Sequence, residues 1–165
     1  MKVKYFDLKN KRVFISGGGS GIGATIVEHF CEQNSEVYFI DINIKASKKL
    51  LKNIKKKKLR SPTFIECNIL DIKKLQTIIK DIIKKKGPIH CLINSAANDD
   101  RHTTEQVDEK YWENRMSINL KHYFFAAQSV VKGMKKIKSG SIVNLSSVSW
   151  VLGEGDKVVY ETAKS

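Results

Sequence analysis

No stretch of this 165-residue chain approaches the roughly 18 uncharged apolar residues that a membrane span requires. The N-terminus, Met1-Lys2-Val3-Lys4-Tyr5-Phe6-Asp7, lacks the apolar segment of a secretory signal, so a cytoplasmic protein with no membrane partner is expected. Cysteine is scarce and odd in number: Cys31, Cys67 and Cys91 stand far apart in apolar segments, which excludes a disulfide framework and gives no metal cluster. A reducing compartment follows. Arginine is scarcer than lysine, with only four arginines, and arginine is what phosphate and base recognition favours. Internal repeats and low-complexity linkers are missing, so residues 1–165 read as a single domain.

What is present fits an ordinary globular chain. At 41% hydrophobic and 28% charged residues, 165 residues can bury roughly 68–70% of the surface their unfolded chain exposes. The formal charge of +13 raises nucleic acid as a partner, but its distribution argues otherwise. The excess is lysine, in the runs Lys55 to Lys58, Lys84 to Lys86 and Lys132 to Lys138, where amphipathic patterns place helix outer faces and ends. These are read as solvated faces, with no nucleic-acid partner.

Short apolar runs alternate with helical patterns. Strands are predicted at Arg12 to Ser16, Glu36 to Ile40 (ending at Asp41), Thr63 to Cys67, His90 to Ile93 and Ser141 to Leu145. Between them lie a helix with Ile22, Ile26 and Phe30 on one face, a lysine-rich helix from Ile44 to Lys57, and a third from Lys73 to Lys86 carrying Leu75, Ile78, Ile79, Ile82 and Ile83. Gly87-Pro88 stops the third. A long helix follows from about Glu109 to Lys136. Strands alternating with helices imply right-handed crossovers and an α/β fold, a doubly wound, Rossmann-type parallel sheet in three layers.

The segment Ser16-Gly17-Gly18-Gly19-Ser20-Gly21-Ile22-Gly23 lies between the first strand and the first helix. Glycines there permit a sharp turn and close backbone approach to a pyrophosphate, and the helix N-terminus offers free N–H groups to the anion. Asp41 follows 18 residues after Gly23 at a strand end, where a carboxylate accepts hydrogen bonds from a ribose 2′-hydroxyl and repels a 2′-phosphate. The expected cofactor is NAD, with Gly17, Ser20, Gly21, Ile22, Gly23 and Asp41 in contact with it.

With these residues in order, the sequence resembles the classical short-chain dehydrogenase/reductase family. Gly17, Gly21 and Gly23 have that family's spacing; Asn94-Ser95-Ala96-Ala97 looks like its Asn-Asn-Ala-Gly; Asn119 sits like its long-helix asparagine. Ser147 ends a run like its catalytic serine segment, and Tyr160 with Lys164 matches its Tyr-x-x-x-Lys, 13 residues after Ser147. The resemblance implies Asn119, Ser147, Tyr160 and Lys164 as catalytic residues, and it adds Asn68, Ile69, Asn94, Ala96, Tyr160 and Lys164 to the cofactor contacts.

The chemistry needs this spacing. Free tyrosine has a pKa of about 10, so a phenolate base near neutrality requires about 4 kcal/mol of preferential stabilisation. On a helix, residues 160 and 164 share a face about 6 Å apart in rise, so an ammonium can supply it and also reach a ribose. The resemblance gives Ser147 the reacting oxygen and Asn119 a relay water. The pattern departs from the family at three places: Ser16 replaces threonine, Asn68 replaces aspartate, and Ser95 replaces the second asparagine.

The loop Asn94 to His102, the pair Ser149-Trp150 and the form Tyr160-Glu161-Thr162-Ala163-Lys164 are similar to a subgroup that oxidises aldoses at the anomeric carbon. The implied reaction converts a sugar hemiacetal and NAD⁺ to an aldonolactone and NADH. Trp150 could stack on a sugar face or wall the core, and Asp99, Asp100, Arg101 and His102 are expected to form a salt-linked loop. Reduction of a 3-oxoacyl thioester or other ketone is the alternative, as is a fragment that binds NAD without turnover. Family members continue past the tyrosine and lysine, so the resemblance implies a fold incomplete on its C-terminal side, a fifth strand left at the sheet edge, and a homo-oligomeric parent, dimer or tetramer.

Overall fold

The computed structural model describes residues 3–165. Five strands carry the chain: β1 (Arg12–Ser16), β2 (Glu36–Asp41), β3 (Thr63–Glu66), β4 (Cys91–Asn94) and β5 (Ser141–Asn144). All four pairings are parallel, in the order β3-β2-β1-β4-β5. Parallel pairing needs a crossover between neighbours, and helices supply it: α1 (Gly21–Glu32), α2 (Ile44–Lys56), α3 (Ile72–Lys86), then α4 (Glu109–Met116) continuing into α5 (His122–Lys136). Two short helices, α6 (Ser149–Leu152) and α7 (Val158–Lys164), follow β5. The strands agree with the sequence reading to within a residue at each end, the range over which fraying blurs any boundary.

Alternation along β1 sorts the core into two halves. Val13 and Ile15 point to one face, where they pack with Val27 and Cys31 of α1, Phe39 of β2 and Ile54 of α2. Phe14 points to the other and meets Leu75 and Ile79 of α3, Leu92 of β4, and Ala126 and Val130 of α5. A sheet covered on both sides reads as unbroken apolar runs, which is why Val13, Phe14 and Ile15 are all fully buried. Lys55 and Lys56 of α2, Lys84 to Lys86 of α3, and Lys135 and Lys136 of α5 fall in the last turns of these helices, where cations complement the negative end of the helix dipole.

Two helical readings are corrected. On α1 the buried stripe is Gly23, Val27 and Cys31, one residue round from the expected one, and Ile22 is 71% exposed. Close packing of Gly23 on the turn before it sets that rotation. The long helix is continuous but is interrupted by a π turn over Ser117–Lys121 between α4 and α5. Among the described residues no helix is long and apolar enough to cross a membrane. Phe14→Ala, which empties the centre of the α3/α5 side, is expected to cost about 3–5 kcal/mol, read as a lowered urea midpoint at unchanged slope.

Candidate active site

In an open parallel sheet the ligand crevice lies beyond the C-terminal strand ends where the strand order reverses, here between β1 and β4. A cleft of about 750 Å³ opens there. The turn after β1 enters it through Gly17, Ser20, Gly21, Ile22 and Gly23; Asp41 closes the end of β2; Asn68 and Ile69 follow β3; Ala96 follows β4; Tyr160 and Lys164 come from α7. The structure therefore brings eleven of the expected contact positions into one cavity. Asn94, Asn119, Ser147 and Trp150 are not among its lining residues.

The glycine turn is built by contact. Gly17 has φ +70°, and a Cβ there would fall 2.6 Å from the Ala96 Cα. Gly21, at φ +52°, borders open space on the cleft side. Ser20 is the N-cap of α1 but its side chain makes no capping bond, so the first-turn amides stay available to an anion. Asp41 is oriented by backbone: its Oδ2 accepts from the Gly19 N–H at 2.8 Å and its Oδ1 from the Asn43 N–H at 2.7 Å. Each carboxylate oxygen keeps further accepting capacity toward the cleft.

The departures from the family pattern have partners. Ser16 accepts from the amides of Ser95 and Ala96 at 3.2 and 3.3 Å, holding the β4 loop to β1 as a hydroxyl should. Asn68 Oδ1 accepts from the Leu70 N–H at 3.0 Å, and Ser95 lines the cleft. Asn94 is fully buried and donates from Nδ2 to Asn144 Oδ1 at 2.8 Å, so its side chain joins β4 to β5. Asn119 lies in the π turn and clasps the backbone of Asn98, accepting from its N–H at 2.8 Å and donating to its carbonyl at 3.0 Å.

Lys164 is 5% exposed and sits on the same helix face as Tyr160, its Nζ 5.9 Å from the Tyr160 ring centre. The ammonium donates to the Leu145 carbonyl at 3.0 Å and to the hydroxyl of Tyr123, whose ring it overlies at 4.3 Å. Burial pushes the Lys164 pKa down to about 8. Tyr123 carries no site signal in the sequence beyond lying one helical turn after Asn119. Burial raises its pKa, as does the Coulomb influence of Tyr160.

Beyond β5, the hydroxyl of Ser147 pairs with that of Ser149 at 2.8 Å and accepts from the Ser149 N–H at 3.2 Å. Ser146 instead borders the cleft, and its hydroxyl donates to the Lys164 carbonyl and accepts from the Trp150 indole N–H at 3.3 Å. Trp150 is 47% exposed, outside the core. Of the acidic loop, Asp99 lines the cleft, whereas Asp100 pairs with Arg115 at 2.9 Å and Arg101 with Asp156.

Residues 11–165 match the family described as short chain dehydrogenase. The chain is 40% identical over 161 residues to the D-xylose 1-dehydrogenase of Caulobacter vibrioides, covering 98% of this chain and 63% of that protein. It is 36% identical to a Rhizobium meliloti protein named "Probable galactose dehydrogenase GalD", covering 96% of this chain and 62% of that one. Among solved structures it is similar to the aldohexose dehydrogenase of Thermoplasma acidophilum, with a TM-score of 0.83 at 26% identity over 97% of this chain and 58% of that one. The chain thus spans about 63% of the length of the D-xylose relative.

A buried lysine with a lowered pKa costs stability. Between about 8 and its ordinary 10.5 the folded chain binds fewer protons than the unfolded one, so this cost is full below pH 8 and fades as pH rises. Lys164→Met is therefore expected to raise Tm by a few degrees at pH 7, with the advantage shrinking by pH 10 in thermal unfolding followed by circular dichroism.

Proposed function

Since this chain belongs to the short-chain dehydrogenase family, we propose that the protein oxidises an aldose at C1 with NAD⁺, giving an aldonolactone. The observation that carries the reading is the meeting of Tyr160 and Lys164 with the glycine turn and Asp41 in one cleft. The sugar is supported by relatives named for xylose and galactose. The choice of NAD is supported by Asp41, whose charge opposes a 2′-phosphate.

The residues present suit a dinucleotide. The open side of Gly21 and the uncapped start of α1 would face the pyrophosphate, and Asp41 the adenosine ribose. Bound there, the nicotinamide supplies the hydride acceptor. Tyr160 takes the proton of the C1 hydroxyl as the C1–H bond breaks and the C=O bond forms. Lys164 favours the phenolate electrostatically and offers its remaining N–H to the nicotinamide ribose. Likeness to the family is what assigns Ser147 the reacting oxygen, since its hydroxyl pairs with Ser149 outside the cleft lining; Asn119 holds the backbone of Asn98, which lines the cleft. Asp99 lines the cleft on the side open to a polar substrate, and Trp150 reaches the cleft only through Ser146, to which its indole N–H donates.

The test is NADH production at 340 nm with NAD⁺ and a panel of aldoses, run on the full-length protein. Turnover is expected with pentoses or hexoses, and Tyr160→Phe should lower kcat about 10²- to 10⁴-fold. Activity confined to acyl thioesters or ketones would sink the sugar assignment. Asp41→Ala should narrow the preference for NAD⁺ over NADP⁺, seen as the ratio of the two kcat/KM values.

A further inference from the structure

α7 is only seven residues long and carries both Tyr160 and Lys164. A helix this short does not hold itself together, because the first turn fixes several residues for one hydrogen bond. Its N-cap residue, Lys157, makes no side-chain capping bond; the Lys157 ammonium is paired with Glu154 instead. The amide of Val159, in the first turn, would then be a buried orphan donor. It is satisfied by a residue 57 positions away: the Val159 N–H donates to His102 Nε2 at 3.3 Å.

His102 is itself held on every side. Its backbone N–H donates to the Asp156 carbonyl at 2.7 Å. Its Nδ1 lies 3.0 Å from the Asp100 carbonyl and 2.9 Å from the Tyr111 hydroxyl, and the Tyr111 ring packs edge-on at 4.9 Å between centres. Arg115 closes the outside by covering the Tyr111 ring at 5.0 Å while pairing with Asp100. An Nε2 that accepts from an amide carries a lone pair, so the ring proton belongs on Nδ1, where two oxygens can take it.

We propose that His102, seated between the loop after β4 and the first turn of α7, is a positioning residue that caps the helix bearing Tyr160 and Lys164. It is not among the residues that line the cleft, and acts by fixing where α7 starts. The proposal rests on the reading of Tyr160 and Lys164 as base and cation. A helix start that slides or frays moves Tyr160, one residue past the capped amide, before it disturbs the glycine turn or Asp41.

Two variants of the full-length protein separate this from general packing. His102→Leu fills the space without an acceptor; His102→Gln places an amide oxygen near Nε2. The Leu variant is expected to lose about 5- to 30-fold in kcat, the factor by which a lost cap shifts the ordered helix toward the frayed one, with KM for NAD⁺ changed less than threefold. The Gln variant should recover kcat to within about threefold of the parent. Amide hydrogen exchange at residues 158–164, measured without substrate, should accelerate in the Leu variant and return toward the parent in the Gln variant. Equal kcat in both variants, or unchanged exchange in the Leu variant, would overturn the proposal. A parent silent on every aldose would overturn the sugar reading, and the exchange measurement would still decide the role of His102.

Discussion

A side chain at residue 23 would run into the carbonyl of Gly17. That single steric fact requires glycine at the point where α1 leaves the turn, and much of the cleft follows from it. With no side chain between them, the helix start presses against the turn, which in turn presses on Ala96 and on Phe39 of β2. The amides at the head of α1 then point at the crevice between β1 and β4, and Asp41 is held beside them by the Gly19 N–H. The same contact rotates α1 so that Ile22 faces the cavity and Val27 faces the sheet.

Features that depend on short spacings were legible in the sequence. Val13-Phe14-Ile15 announces a strand buried on both faces, the glycine turn followed by Asp41 announces a dinucleotide crevice, and Tyr160 with Lys164 shares a helix face through the 3.6-residue period. What was not legible depends on the path of loops. Nothing local says that His102 reaches Val159, that Asn119 clasps Asn98, or that Ser146 rather than Ser147 borders the cleft. Asn94 shows the same limit: its place at the end of β4 was evident, but its partner is Asn144 on β5, 50 residues on.

Lys164 shows burial at a cost to stability. A cation almost wholly removed from water, held by one carbonyl and one phenol, opposes folding, and it lies with its Nζ 5.9 Å from the Tyr160 ring centre. The cysteines show the opposite use of burial. Cys31 is pushed up to about 12 and Cys91 to about 11 by desolvation, which keeps both as thiols that pack rather than react.

The π turn between α4 and α5 inserts one residue beyond the α-helical repeat, and one residue is about 100° of rotation. The two halves of this long helix are therefore out of phase. α4 lies against α7, whereas α5 addresses α3 and β4 on the sheet. Without the phase break, a single apolar stripe would have to serve both neighbours, and it would drift away from one of them. The misfit lets one rod-like element answer to two surfaces at once, coupling the placement of α7 to the packing of the sheet.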